Sequence, residues 1–400
     1  MWVTVNGTRS TEIDDDVVER VLNLYPEEEL FNRRVFVDAF SNGTIEFTNL
    51  KDESEKILIP WQLFFLTPDN LDTQTQRIDE LRQHKVSAKL VAKRRGMGDV
   101  TSKRIIDRLI RQQNFVTSTE VLPTNTFCGS LARLSTSNAV AGILAHFEID
   151  RPWLWKTDGK GKALEYLISQ VEAKSINVSR GVLTHKLLPN HQVVPGNIYK
   201  NTSGFAIRDE YLPFVFLPGE INPDEVESRQ IYSLIYLLVV IGLDQYEYIL
   251  EKDFTAKLLS ASGMSRRIHN ITTELLIPSS ETEKLRGTEI TIAVRDRLAS
   301  QFKVSPSALV ITLRIRNVIS KKQYDALMPA PYVPRKRTGE THMRSPKITT
   351  AVRKFCGKRT YEVINRSIVN RSLTNIQAQY LIFGSVNKKG FRAYRNTLKI

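Results

Sequence analysis

Cysteine is nearly absent from this chain. Cys128 and Cys356 are the only two, far apart and without C-x-x-C spacing, which excludes a disulfide framework or a cysteine zinc site and leaves two free thiols. Long apolar runs are as scarce. The longest, Ile231 to Leu243, is broken by Tyr232, Ser233 and Tyr236 and falls short of the roughly 20 residues that span a bilayer. No membrane span is therefore expected. The opening segment lacks the charged and apolar regions of a signal peptide and runs into Glu12, Asp14, Asp15 and Asp16, so a cytoplasmic location is expected. What the chain does have is 400 residues, 41% of them hydrophobic, enough to bury a sizeable core and to suggest two or three domains.

The net charge of +14 is concentrated at one end. Residues 331 to 400 hold 16 Lys and Arg against Glu340 and Glu362, so the first 330 residues are neutral overall. Within them, residues 1 to 84 are acidic, with 17 carboxylates against 8 cations, and residues 85 to 115 are basic, with 9 cations against Asp99 and Asp107. Three blocks of different sign point to separate binding surfaces, set against the alternative of solvated faces that compensate one another inside one fold.

The patterning divides the chain into five parts. Residues 1 to 72 carry short alternating runs (Trp2 to Val5, Val35 to Val37, Thr44 to Phe47, Ile57 to Ile59) with Asn6-Gly7 and Asn42-Gly43 as turns. They predict a small acidic mixed β module with a helix near 14 to 24. The cluster Pro60 to Leu66 reads as a core anchor against the next stretch of chain. Residues 73 to 131 read as a basic helical arm, broken at Gly96-Met97-Gly98, with Ile105, Ile106, Leu109 and Ile110 at helical spacing and a Thr, Ser and Pro-rich linker over 116 to 131. Residues 132 to 328 form the central α+β part, with Ser137 as the expected cap of its first helix, a helix over 161 to 171, strands at 176 to 178, 204 to 207 and 213 to 217, and an apolar helix over 229 to 243. Residues 329 to 349 read as a basic linker. Residues 350 to 400 read as a basic helical module, with helices over 360 to 370 and, capped by Thr374, through Leu381.

Within the central part, an ordered series of local patterns appears: Glu172-Ala-Lys-Ser-Ile-Asn-Val178, Ser203-Gly204-Phe205, Pro213-Phe-Val-Phe-Leu217, Arg229-Gln-Ile-Tyr-Ser-Leu234, Leu275-Leu-Ile-Pro278 and Val304-Ser-Pro-Ser-Ala308. In this order they resemble the ImmA/IrrE family, over about residues 134 to 328 and more weakly to 383. The resemblance implies a zincin-like domain, with H-E-x-x-H on the helix after Leu234, where two histidines one turn apart bind zinc and the glutamate acts as general base. This chain departs from that pattern. Tyr236, Leu237 and Val240 stand at the three positions, and Ser265, Arg266 and Arg267 stand where the third ligand would fall. A valine cannot hold zinc and a leucine cannot take a proton from water, so no metal, no cofactor and no catalytic residue is expected.

Other groupings are sparse. His146 and Glu148 do not share a helical face. Thr157 to Lys162 has glycines beside lysines but lacks the G-x-x-x-x-G-K-[ST] spacing, and reads as a turn before a helix. His185, His191 and His269 are the candidates for displaced ligands if the chain is instead a zinc peptidase that cleaves a regulator. Ile290 to Phe302 and Ser305 to Ile315 have helix-turn-helix shape. The nucleic-acid-binding candidates are Lys89, Lys93, Arg94, Arg95, Lys103, Arg104, Arg335, Lys336, Arg337, Arg353, Lys354, Lys358, Arg359, Lys388, Lys389 and Arg392. The expectation is a noncatalytic regulator that binds nucleic acid, a partner protein such as a toxin or repressor, or both. The resemblance sharpens it to an antitoxin-like or phage-defence role.

Overall fold

The computed structural model of the protein describes residues 1–23, 33–56, 60–86, 98–181, 202–218, 226–247, 250–251, 261–329, 347–384 and 387–398. It is a mixed α+β protein, mostly helical, with two small sheets among the described residues. No described helix is long and apolar enough to cross a membrane.

The N-terminal part comprises β1 (Trp2–Val5), β2 (Thr8–Glu12), α1 (Asp15–Asn23), α2 (Arg34–Asn42), β3 (Thr44–Glu46), α3 (Phe47–Lys56) and a 3-10 turn, Trp61–Phe65. Its sheet has the order β2-β1-β3, β1 running antiparallel to β2 and parallel to β3. The expected strand at Val35 to Val37 is a helix instead. Phe36 and Ala39 share its buried face and Gly43 ends it in the left-handed conformation at φ +67°, so a three-residue alternation was one turn of an amphipathic helix. The aromatic cluster also packs backwards. Phe64 stacks on Phe36 at 6.2 Å and Trp61 meets Phe47 edge-on at 5.2 Å. The expected Ile57 to Ile59 run and the break at Gly96-Met97 lie outside the described residues.

Two long helices come next, α4 (Pro68–Lys85) and α5 (Gly98–Thr119), the second reaching into what read as linker. The central part then runs α6 (Thr136–His146), α7 (Arg151–Lys156), α8 (Lys160–Ala173), β4 (Asn177–Arg180), β5 (Thr202–Ile207), β6 (Phe214–Leu217), α9 (Val226–Gly242), β7 (Leu250–Glu251), α10 (Gly263–Leu276), α11 (Ser279–Glu283), α12 (Ile292–Gln301), α13 (Pro306–Ile315) and α14 (Lys321–Leu327). The cap of α6 is Ser135, not Ser137. Ser135 has extended backbone and its hydroxyl accepts the Asn138 N–H at 3.3 Å, which places Ser137 inside the first turn. Four helices close the described chain: α15 (Ile348–Cys356), α16 (Lys358–Val369), α17 (Asn375–Phe383) and α18 (Lys388–Leu398). Thr374 caps α17 in a reciprocal box with Gln377, as its T-x-x-Q spelling suggests.

The second sheet is ordered β4-β6-β5-β7, and β4, β6 and β5 are covered on both faces. Side chains alternate along a strand, so consecutive apolar residues go to opposite sides. Val178, Ala206, Val215 and Leu217 join the core around α8, α9 and α10. Phe205, Ile207, Phe214 and Phe216 join a second core built by α5, α15, α16, α17 and α18. The all-apolar run Phe214 to Leu217 results from this double burial. The arm and the terminal module that composition separates thus share one core, in which Ile105, Ile106, Leu109 and Ile110 of α5 are buried.

Buried polar groups stitch that second layer in place. Ser179 donates its hydroxyl to the Phe355 carbonyl at 2.5 Å, and the Asn177 amide donates to the Cys356 carbonyl at 2.6 Å. The last carbonyls of α15, which have no partner within the helix, are satisfied from β4. Gln112 of α5 donates to the Leu381 carbonyl at 2.8 Å, and Gln113 to the Leu212 carbonyl at 2.9 Å. Arg108 lies over the Phe355 ring at 4.3 Å, and burial pushes its guanidinium down to about 10.

Gly357, between α15 and α16, sits at φ +76° and ψ 163°, a region that only glycine enters without strain. A Cβ there would come within 2.4 Å of the Asn177 amide nitrogen. Gly357→Ala is therefore expected to destabilise the fold by about 1–3 kcal/mol from backbone strain alone, read as a lower midpoint in urea. An unchanged midpoint would refute this account of the junction.

Candidate functional site

The helix that would carry zinc ligands in the resembled family is α9, and from Gln230 to Gly242 every residue on it is buried. A helix that is apolar on all sides is packed on all sides. Tyr236, Leu237 and Val240 are at most 2% exposed. Leu237 packs against Gly204, where an added Cβ would lie 2.9 Å from Leu237 Cδ1 and 2.8 Å from the Phe216 carbonyl. The position at which the resemblance would expect a general base is thus filled by a side chain that seats α9 on the sheet.

Across from α9 lies α10. Its buried His269 makes a 3.1 Å hydrogen bond through Nδ1 with the Tyr232 hydroxyl, and the Tyr236 ring is 5.0 Å away. Burial, aided by Arg266, lowers the imidazole to about 4, while burial raises Tyr232. The cations at the expected third-ligand position are structural tethers: Arg266 donates to the Ala261 carbonyl and Arg267 to the Leu131 and Leu134 carbonyls. A cleft of about 220 Å³ opens beside His269. Its charged groups satisfy each other, because Arg316 pairs with Glu274 at 2.9 Å and that carboxylate also accepts the Ser279 N–H at 3.0 Å. Among the described residues no three His, Cys, Asp or Glu side chains converge.

Further groupings from the sequence come apart in space. His146 packs with Phe127 at 5.1 Å, while Glu148 pairs with Lys174 at 2.6 Å. Lys160 donates to the Val304 carbonyl at 3.1 Å, so the Gly159 turn starts a helix. His185 and His191 lie outside the described residues. The helix-turn-helix shape at α12 and α13 lacks a free second helix, since Ala308 to Leu313 of α13 are all buried.

The basic candidates fare differently. Lys89, Lys93, Arg94, Arg95, Arg335, Lys336 and Arg337 lie outside the described residues, and Lys103 and Arg104 fall on α5 with their side chains undescribed. Arg359 is drawn into the fold, pairing with Glu120 at 3.1 Å beside Arg366 at 2.8 Å. The remaining six, Arg353, Lys354, Lys358, Lys388, Lys389 and Arg392, are exposed. None of the six takes part in an ion pair among the described residues.

Three of them line a cleft of about 420 Å³ between α8, β4, α15 and α16, where Arg353, Lys354 and Lys358 meet Arg180. Arg180 holds Glu165 through two contacts at 2.6 and 3.1 Å. Glu172 accepts the Lys358 N–H at 2.7 Å, which satisfies the start of α16, and burial pushes its carboxyl up. Sequence reading missed Arg180, whose only signal was its place at the end of a strand. The other three line or flank a groove of about 390 Å³ between α17 and α18, together with Arg395 and Asn396. No protein-family model, curated protein or solved structure matches this chain, so its class is given by its fold, a helical α+β protein with a two-faced mixed sheet.

The depressed His269 has a pH consequence. An unfolded histidine takes a proton near its ordinary 6.5, and the folded one refuses it until about 4. Stability is therefore fully present above pH 6.5 and falls between 6.5 and 4, by on the order of 3 kcal/mol for this group. His269→Gln is expected to flatten that segment of a urea-stability profile against pH. An equally steep profile in the variant would remove His269 as a source of acid sensitivity.

Proposed function

We propose that this chain is a noncatalytic nucleic-acid-binding protein built on a degenerate ImmA/IrrE-type scaffold, with the phosphate-binding surface on its last four helices. The observation that carries the reading is the set of six exposed cations on α15, α16 and α18. Nothing in sequence offsets those on α18, since residues 363–400 contain no Asp or Glu. Lysines and arginines held on a rigid layer neutralise phosphates and release the counterions condensed on them, which gives affinity without reading sequence. The scaffold part rests on the ordered motifs from Glu172 to Ala308, and the substituted positions Tyr236, Leu237 and Val240 speak for binding and against zinc hydrolysis. An antitoxin-like or phage-defence role is the sharper form that the resemblance implies.

Truncation cannot test this, because removing α15 to α18 would uncover Phe205, Ile207, Phe214 and Phe216. At roughly 1.5–3 kcal/mol for each side chain, that exposure is comparable to a whole domain's stability. Point variants on the intact chain serve instead. A salt titration of binding to random duplex DNA should give a steep negative slope. Arg353→Ala, Lys354→Ala and Lys358→Ala together should flatten it by up to roughly 2.7, about 0.9 for each phosphate no longer neutralised. Absent or salt-independent binding to DNA and RNA would overturn the reading.

A further inference from the structure

Helices α17 and α18 are joined by only four residues, 384 to 387, and both ends of that connection are specified. Gly384 ends α17 in the left-handed conformation at φ +77°. Asn387 starts α18 by accepting the Gly390 N–H at 2.8 Å, and its own N–H donates to the buried Gln379 side chain of α17 at 2.8 Å. A third helix supports the pair. Tyr394 of α18 donates its hydroxyl to Asn365 of α16 at 2.5 Å, and its ring meets Phe383 of α17 edge-on at 6.5 Å.

The two sides of α18 are opposite in character. Gly390, Phe391 and Tyr394 are buried, Tyr394 against α16 and α17, and α18 also packs on α15, whereas Lys388, Lys389, Arg392 and Asn396 are exposed. Lys388, Arg392, Arg395 and Asn396 fall on one stripe and face a groove whose other wall is the start of α17, at Asn375 and Ile376. A four-residue connection that leaves the first helix at a left-handed glycine, a supporting helix and a second helix with one cationic face are the parts of a helix-turn-helix reading head.

We propose that α17 and α18 form a helix-turn-helix unit whose second helix, α18, enters the major groove of double-stranded DNA, with Lys388, Lys389 and Arg392 at the base edges and flanking phosphates. This rests on the nucleic-acid reading above and names the nucleic acid. Duplex DNA is favoured by the shape and chemistry of the face. A helix of about 10–12 Å diameter fits a B-form major groove about 12 Å wide, but not the deep, narrow major groove of A-form RNA. Single-strand binders stack bases on exposed aromatic rings. Here the groove's only aromatic residue, Phe391, is 5% exposed and committed to the core. Lysine and arginine side chains also match the O6 and N7 acceptors of guanine.

The test uses the intact chain with two triple variants, Lys388→Ala/Lys389→Ala/Arg392→Ala on α18 and Arg353→Ala/Lys354→Ala/Lys358→Ala in the cleft, both checked for unchanged thermal midpoints. A random duplex library is first put through rounds of selection, and affinity is measured by anisotropy for the selected duplex, a random duplex, single-stranded DNA and duplex RNA. The expected result is enrichment of a consensus containing guanine and preference for duplex DNA. Methylation of guanine N7 should interfere with binding. The α18 variant should lose about tenfold or more of the discrimination between selected and random duplex, while the cleft variant keeps that discrimination and loses affinity evenly. If duplex binding and its selectivity survive in the α18 variant, or if single strands or duplex RNA bind better, the inference fails and the broader reading stands. If no nucleic acid binds, both fail.

Discussion

The contact on which the rest of the molecule depends is the one between the outer face of β4 and the end of α15. Asn177 and Ser179 are buried polar side chains on a strand, and each would cost free energy if left unpaired. They are paired with the Phe355 and Cys356 carbonyls, which would themselves be orphaned at a helix end. One pair of hydrogen bonds therefore resolves two deficits at once. The sharp turn at Gly357 then lets the Thr360 hydroxyl reach the remaining oxygen of Asn177 at 3.2 Å. The next helix, α16, starts directly from this junction.

The consequence is that β4, β6 and the described side chains of β5 are covered on both faces. One side closes over α9, and the other over α5 and the last four helices. Because the apolar faces of α15 to α18 are turned to the sheet and to one another, their cations are forced outward and held at fixed spacing. A rigid layer of charge binds phosphate with less loss of side-chain freedom than a flexible tail. The same packing draws Arg359 and Arg366 into a shared pair with Glu120, so not every cation of the basic end belongs to the unpaired exposed set.

On the inner side, packing also determines what α9 can be. Leu237 fits against Gly204, and Tyr232 and Tyr236 surround a histidine that burial keeps neutral. Such a helix holds the sheet to α8 and α10 through area and shape. A polar ligand set at Tyr236, Leu237 and Val240 would have to be desolvated in the same place.

Much of the local structure was legible in the residues: the cap at Thr374, the strands β4, β5 and β6 of the second sheet, the apolar helix α9, and the concentration of charge after residue 330. These depend on short-range chemistry, namely capping spacing, side-chain alternation and composition, so the sequence by itself determined them. Val35 to Val37 shows where that reach ends, since three residues suit a strand or one helical turn equally. Tertiary structure alone decided that α5 and the last four helices share a core with the sheet. It also decided that Arg180 meets Arg353 in one cleft, that Arg359 is neutralised by Glu120, and that α18, not α13, presents a free cationic face. The physical reason is the same in each case. Which side of an amphipathic helix is covered, and which carboxylate lies near a given cation, depends on partners far away in the chain, and no local pattern encodes that distance.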